Sequence, residues 1–221
     1  MTEPSGESTD KPRRPVVVPA TGLVMLTAVG ITALLGGLTE VPEVPDPAAK
    51  DVVIDQGQFS TKFVGARVTV EKSESTFLED KRFVEMVFDV TNLGDETASV
   101  GIPPSQWDKA YLGTSFAGSL VRISPAFSKD AGPFAFGLAK GGGETGQLHP
   151  GVKTQVVVRY KMKETEQPPK EVVLDVASFE YEPGFLNDIP SWRMVTDQKG
   201  EKFFPEIMNR VTMPVERGDG A

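Results

Sequence analysis

The sequence contains no cysteine and only one histidine, His149. Without cysteine the chain can form neither a disulfide framework nor a thiolate zinc site, and it offers no lipid-accepting cysteine behind an N-terminal signal. A single histidine excludes a multi-histidine metal site, and a cysteine–histidine catalytic pair is excluded as well. The folded part of the chain must therefore be held by packing, and the sequence predicts neither a cofactor nor a metal.

Motifs for catalysis are also scarce. No G-x-S-x-G nucleophile elbow occurs, and the carboxylates are scattered as surface charge usually is. The letters GGGETG match the dinucleotide pattern G-x-G-x-x-G at Gly141, Gly143 and Gly146, but Pro150 follows and no strand–helix–strand unit surrounds them. This segment is predicted to be a loop, and the protein is not predicted to be an enzyme.

Basic charge is in short supply, since 23 Lys and Arg stand against 31 Asp and Glu for a formal net charge of -8. Within residues 1–15 the acidic and basic residues are equal in number, so the whole net negative charge lies in the rest of the chain. A protein that binds a phosphate backbone needs Lys and Arg clustered on one face. Nucleic acid is therefore not predicted to be a partner.

One long apolar run is present, because residues 16–39 contain no charge. Its length is close to the ~20 residues that a helix needs to cross a bilayer, whereas the core of a signal peptide is shorter. The run predicts a transmembrane signal anchor over 16–39, with Gly22, Leu26, Ile31 and Leu35 inside the lipid. Cleavage as a signal peptide is the alternative, although the residues at the end of the run form a poor signal-peptidase cleavage site.

The flanks of this run predict its orientation. Arg13 and Arg14 precede it and acidic residues follow it, which places residues 1–15 in the cytoplasm as a disordered N-terminus and the rest of the chain outside. The proline-rich residues 40–50 are predicted to form an extended stalk. Small residues recur every four positions at Ala28, Thr32 and Gly36, a spacing that would allow helix-mediated self-association in the bilayer.

Beyond the stalk, apolar residues alternate with polar ones, which is the pattern of strands. The segment RFVEMVFDV is the clearest example, because Val84, Met86, Phe88 and Val90 fall on one face while Glu85 and Asp89 fall on the other. TQVVVRYKM and EVVLDV are further strands and are predicted to pair as a hairpin. Many short strands separated by Gly and Pro turns predict an all-β sandwich or barrel.

The strand RFVEMVFDV followed by TNLGDETASV, and LHPGVKTQVVVRY followed by EVVLDVASFEYEPG, resemble the immunoglobulin-like extracytoplasmic domains of small actinobacterial membrane-anchored envelope proteins. The mycobacterial secreted immunoprotective antigen is a soluble protein of that type. The resemblance covers roughly residues 52–182. It implies an immunoglobulin-like β-sandwich over residues 51–215 and a place in the cell envelope, and it implies no activity. A disordered tail is expected at 216–221.

Residues 103–150 form a long insertion that the compact members of this group of proteins lack, and the insertion is rich in aromatic side chains. Trp107, Tyr111 and Phe116 are its candidate binding residues. Aromatic residues among Gly and Ser suit either a small core under a long loop or an exposed contact surface. Both interpretations are open from sequence alone.

These observations favour a single-pass membrane protein whose outer domain binds a protein partner in the envelope or serves as an accessory subunit. Its first partner is the lipid bilayer, through the N-terminal helix. A secreted ligand-binding protein with a cleaved signal peptide is the alternative, and an enzyme acting on cell-wall material is a weaker one because no nucleophile, metal cluster or positioned base is recognisable.

Overall fold

The computed structural model describes residues 44–73, 79–163, 165–183 and 189–217. The predicted cytoplasmic segment and anchor, with Gly22, Leu26, Ile31 and Leu35, lie outside the described residues. In the part of the chain that is described, no helix has the length and apolar character needed to span a bilayer.

The described residues are mostly strand, with three short 3₁₀ helices. The strands are β1 (Asp46–Ala49), β2 (Val53–Asp55), β3 (Phe59–Glu71), β4 (Lys81–Asn92), β5 (Ala98–Ser99), β6 (Leu120–Ser124), β7 (Phe134–Leu138), β8 (Glu144–Thr145), β9 (Gln147–Leu148), β10 (Lys153–Met162), β11 (Glu171–Val176), β12 (Phe179–Pro183), β13 (Pro190–Met194), β14 (Thr196–Lys199), β15 (Lys202–Pro205) and β16 (Asn209–Arg217). The 3₁₀ helices are η1 (Trp107–Leu112), η2 (Ala117–Ser119) and η3 (Lys129–Ala131).

The strands form a β-sandwich whose two layers are joined by β16. One layer has the order β6-β11-β16 with β1 on the far side of β16, and the other has the order β3-β4-β10-β7-β8 with β2 beside β3. Residues 209–214 of β16 pair with β11, whereas residues 215–217 pair in parallel with β3. Strand β16 therefore starts in one layer and ends in the other.

The core lies between the layers and is built from the alternating apolar residues. Val84, Met86, Phe88 and Val90 of β4 are all buried in it, as predicted. The opposite face of β4 differs from the prediction, because Glu85 is only 8% exposed. Arg67 of β3 lies 3.2 Å from its carboxylate, so Glu85 is a partly covered ion-pair partner and not a free surface acid.

The predicted hairpin between TQVVVRYKM and EVVLDV is wrong. Strand β10 pairs with β4 and β7, whereas β11 pairs with β6 and β16 in the other layer. The alternation of each strand identifies its buried face correctly, but it contains no information about the neighbouring strand.

Three predicted boundaries also change. Residues 103–150 are not one loop inserted into a finished sandwich, because they supply β6 to one layer and β7 and β8 to the other. Residues 46–49 of the predicted stalk form β1, which pairs in parallel with β16. At the other end, Glu216 and Arg217 belong to β16 and pair with β3, so the part of the predicted tail that is described is ordered strand.

Candidate functional site

A groove runs between strand β13 and the loop that follows β4, and we call it the aromatic groove. Its volume is about 1050 Å³. Its lining consists of Gln58, residues 93–99, residues 111, 112, 114 and 115, Tyr181, residues 190–194 and Thr196. One wall is therefore β13, and the other is made by two loops that leave β4 and η1.

Large apolar side chains are exposed in the aromatic groove. Tyr181 of β12 is 59% exposed and Leu112 is 72% exposed. Trp192 lies opposite Tyr181 in the strand register, and the centroids of the two rings are 5.2 Å apart. Tyr111 is half-buried and packs against the core. Rings that are fixed on one side and open on the other are suited to contact with a ligand.

Two glycines allow the β12–β13 hairpin to approach the sandwich closely. At Gly94, a Cβ atom would lie 2.8 Å from the indole nitrogen of Trp192. At Gly57, where φ is +80°, a Cβ atom would lie 2.0 Å from the carbonyl oxygen of Phe179. A side chain at either position would displace the hairpin that carries Trp192, since both approaches are closer than van der Waals contact.

The loop wall of the groove is held by Asn92 at the end of β4. The Asn92 amide donates to the carbonyl oxygens of Glu96 (2.7 Å) and Leu148 (2.9 Å), and its Oδ1 accepts a hydrogen bond from the Gly94 amide at 3.0 Å. The Leu93 amide also donates to the carbonyl of Gln58. These bonds fix residues 93–96, and they leave the side chains of Asp95 and Glu96 exposed.

Strand β12 is held by a buried glutamine. Gln56 is fully buried, and its Nε2 donates to Ser119 Oγ (2.7 Å) and to the Ala177 carbonyl (2.9 Å). Its Oε1 accepts from Thr61 Oγ1 at 2.6 Å, and its backbone carbonyl accepts from the Phe179 amide. All of its polar atoms are thus satisfied, and the network connects the start of β12 to both layers.

The three predicted binding residues have three different environments. Tyr111 lines the aromatic groove. Trp107 does not: it stacks on Phe204 with centroids 5.6 Å apart, and the Arg122 guanidinium lies 4.7 Å from its ring. Phe116 is 0% exposed and makes edge-to-face contacts with Phe59 and Phe88. Phe116 is therefore a core residue, and the prediction that it contacts a partner is wrong.

Tyr181 and Trp192 were missed by sequence reasoning. They are 11 positions apart and meet only through the pairing of β12 with β13. The available signal was weak: Tyr181 follows the apolar Phe179 by two positions in FEYEP and therefore shares its face of the strand.

Aromatic rings, carboxylates and hydroxyl groups line the groove. Among the described residues, no group of three or more His, Asp or Glu side chains is close enough to hold a metal ion. His149 lies outside the lining, and its Nδ1 is 3.0 Å from Thr97 Oγ1. The groove offers aromatic faces, two exposed carboxylates and backbone groups.

Neither a family model nor a curated protein sequence matches the chain. One solved structure that is similar to it is the crystal structure of an uncharacterised β-sandwich protein from Clostridium difficile 630. That similarity covers 80% of this chain and 97% of the other, with 8% sequence identity and a TM-score of 0.40.

Proposed function

We propose that this protein acts by binding, as a membrane-anchored envelope protein whose immunoglobulin-like outer domain contacts a protein partner through the aromatic groove. The observation that carries the proposal is the exposure of Tyr181 and Leu112, together with the half-buried ring of Trp192, along a groove with fixed walls. Tyr and Trp are the residues most enriched at the energetic centres of interfaces, because they bury a large area at little conformational cost.

The fixed walls support this proposal. The amide of Asn92 and the network of Gln56 hold both sides of the groove before any partner arrives. A preformed surface loses little conformational entropy on association, so more of the contact energy appears as affinity. Loops and short hairpins carried on a rigid sandwich commonly provide recognition in this way.

The envelope location is supported by the sequence. The uncharged run over 16–39 has the length of a membrane span, and Arg13 and Arg14 precede it. The immunoglobulin-like description is supported by the two-layer strand arrangement and by the parallel pairing of β1 with the last strand, β16. In this arrangement the anchor would hold the domain at the outer surface of the membrane.

The proposal can be tested by site-specific photocrosslinking in cells. A photoreactive phenylalanine analogue is placed in the full-length protein at Tyr181 or at Leu112, which line the groove. The matched control carries the same analogue at Phe203, which is 48% exposed on β15 and does not line the groove. We expect a discrete crosslinked species from both groove positions and none from Phe203. Equal crosslinking from all three positions, or crosslinking from Phe203 alone, would contradict the proposal.

A further inference from the structure

We propose that the aromatic groove receives an extended, basic peptide segment of the partner protein, which adds to β13 as a new strand. This inference rests on the proposed function, and it specifies the chemical class of the segment that binds in the groove. It depends on the geometry of β13 and on the charges of the groove.

The groove follows the edge of β13 and not one of its faces. Successive side chains of a strand point to opposite faces, so a groove over one face touches every second residue. Here all five consecutive residues of β13, 190–194, line the groove, whereas Tyr181 is the only contributor from β12. Only the edge of a strand presents consecutive residues to the same space.

That edge has no strand beside it in the part of the chain that is described. Strand β13 pairs with β12 alone, and the two form a separate two-stranded sheet. An unpaired strand edge offers a row of backbone donors and acceptors that an extended peptide can satisfy. Five residues of strand correspond to about 16 Å, which is enough to register a short peptide segment.

The charges of the groove favour a basic occupant. Asp95 and Glu96 are exposed on the loop wall, and Arg193 is the only Lys or Arg in the lining. The faces of Tyr181 and Trp192 also attract cations, because the π-face of an aromatic ring is negative. A second copy of this chain would bring the same carboxylates and a further net charge of -8, so like-charge repulsion opposes self-association through the groove.

The test uses the full-length protein in detergent and four fluorescein-labelled, end-capped heptapeptides, with binding measured by fluorescence anisotropy. The first peptide alternates Lys and Val, and the second alternates Glu and Val. The other two are Lys–Val peptides with alternate backbone amides methylated, one in each phase. Methylation removes donors along one edge of the peptide and keeps its charge. Both phases of methylation are tested, because only one edge faces β13.

We expect the Lys–Val peptide to bind and the Glu–Val peptide to bind at least roughly tenfold more weakly. One methylation phase should weaken binding by at least roughly tenfold, because lost backbone hydrogen bonds cannot be replaced in the groove. The double variant D95N/E96Q should weaken Lys–Val binding several-fold and flatten its salt dependence. The control D197N, which removes an exposed carboxylate outside the groove, should leave binding unchanged.

Each possible contrary result would overturn a different part of the inference. Equal binding of both methylated peptides would overturn strand addition, and equal binding of the Glu–Val peptide would overturn the preference for positive charge. Failure of all peptides to bind, while crosslinks persist at Tyr181 and Leu112, would overturn this inference and leave the proposed function standing. A groove-dependent homodimer in sedimentation equilibrium would show a second copy as the occupant and would also overturn it.

Discussion

At the scale of single residues, the buried amide of Gln56 joins the two layers beneath the aromatic groove. Replacing it with leucine removes the hydrogen-bond partner of Thr61 Oγ1 and of the Ala177 carbonyl, and both residues are fully buried. We expect Gln56→Leu to lower the free energy of unfolding by about 3 kcal/mol in urea denaturation, because buried polar groups left unpaired cost about 1–3 kcal/mol each.

The matched control is Gln198→Leu. Gln198 also donates one hydrogen bond, to the Gly200 carbonyl at 3.0 Å, but it is exposed on the β14–β15 hairpin. Water can replace that bond, so the loss should be under about 0.5 kcal/mol. Similar losses in the two variants would show that the Gln56 network does not stabilise the fold.

A second prediction at this scale concerns Tyr160 in β10. Its ring stacks on Phe127 at 4.3 Å, and burial raises the pKa of its phenol to about 12. The folded state therefore disfavours the phenolate. Below the unfolded pKa of about 10 the phenol is neutral in both states, and the stability of the folded protein is unaffected. As the pH rises from about 10 toward 12, the unfolded chain ionises first, and the free energy of unfolding falls. We expect the native protein to lose about 1.4 kcal/mol more than Tyr160→Phe between pH 9 and pH 11.

The measurement is the free energy of unfolding at several pH values in that window. Tyr181→Phe is the control, because Tyr181 is largely exposed and its removal should leave the pH profile of the native protein unchanged. The difference between variants isolates Tyr160 from the lysines that titrate in the same range. Superimposable profiles for the native protein and Tyr160→Phe would contradict the argument.

At the scale of secondary-structure elements, β1 shows where the domain begins. Its four residues pair in parallel with β16, the Asp46 amide donates to the Met208 carbonyl at 3.1 Å, and Ala48 packs against the core. We expect a variant lacking residues 1–43 to keep the stability of the β-sandwich domain. A variant lacking residues 1–50 should lose about 2 kcal/mol, because the hydrogen bonds of one edge strand and its packing disappear together.

Urea denaturation of the two truncated proteins checks this prediction. If both were equally stable, β1 would contribute nothing, and the prediction from sequence that residues 40–50 form only a stalk would regain support. If both were equally destabilised, the stability would depend on residues before Val44.

The strands show that the sequence predicts which residues are buried but not which strands pair. The burial of Val84, Met86, Phe88 and Val90 was predictable, because the period of two reports directly on which face is covered. The separation of β10 from β11 was not, because strand pairing depends on how the connecting segment crosses the sandwich. Local sequence contains both strands and no signal for the crossing.

The candidate site was predictable only in part, for the same reason. Tyr111 and Phe116 lie five positions apart in one aromatic segment, yet one lines the groove and the other is fully buried. Composition does not separate these outcomes, because burial follows from what packs above each residue. Tyr181 and Trp192 become neighbours only through the register of β12 and β13, which requires the fold.

At the scale of the whole molecule, the proposed function requires a membrane anchor at residues 16–39. We expect the full-length protein to stay in the membrane fraction after alkaline carbonate extraction, because a spanning helix is held by the apolar bilayer core and not by charge. Immunoblotting and intact mass of both fractions provide the measurement. A shortened protein in the soluble fraction would contradict the anchor and would favour a cleaved signal peptide.

The central claim is that the protein makes its functional contact through the aromatic groove. The most direct test is hydrogen–deuterium exchange of the backbone amides, measured for the full-length protein alone and in complex with the protein captured by photocrosslinking. We predict slower exchange at 190–194 and 93–99 in the complex and unchanged exchange at 134–138 in β7, which does not line the groove. Slower exchange at 134–138, with 190–194 unchanged, would contradict it.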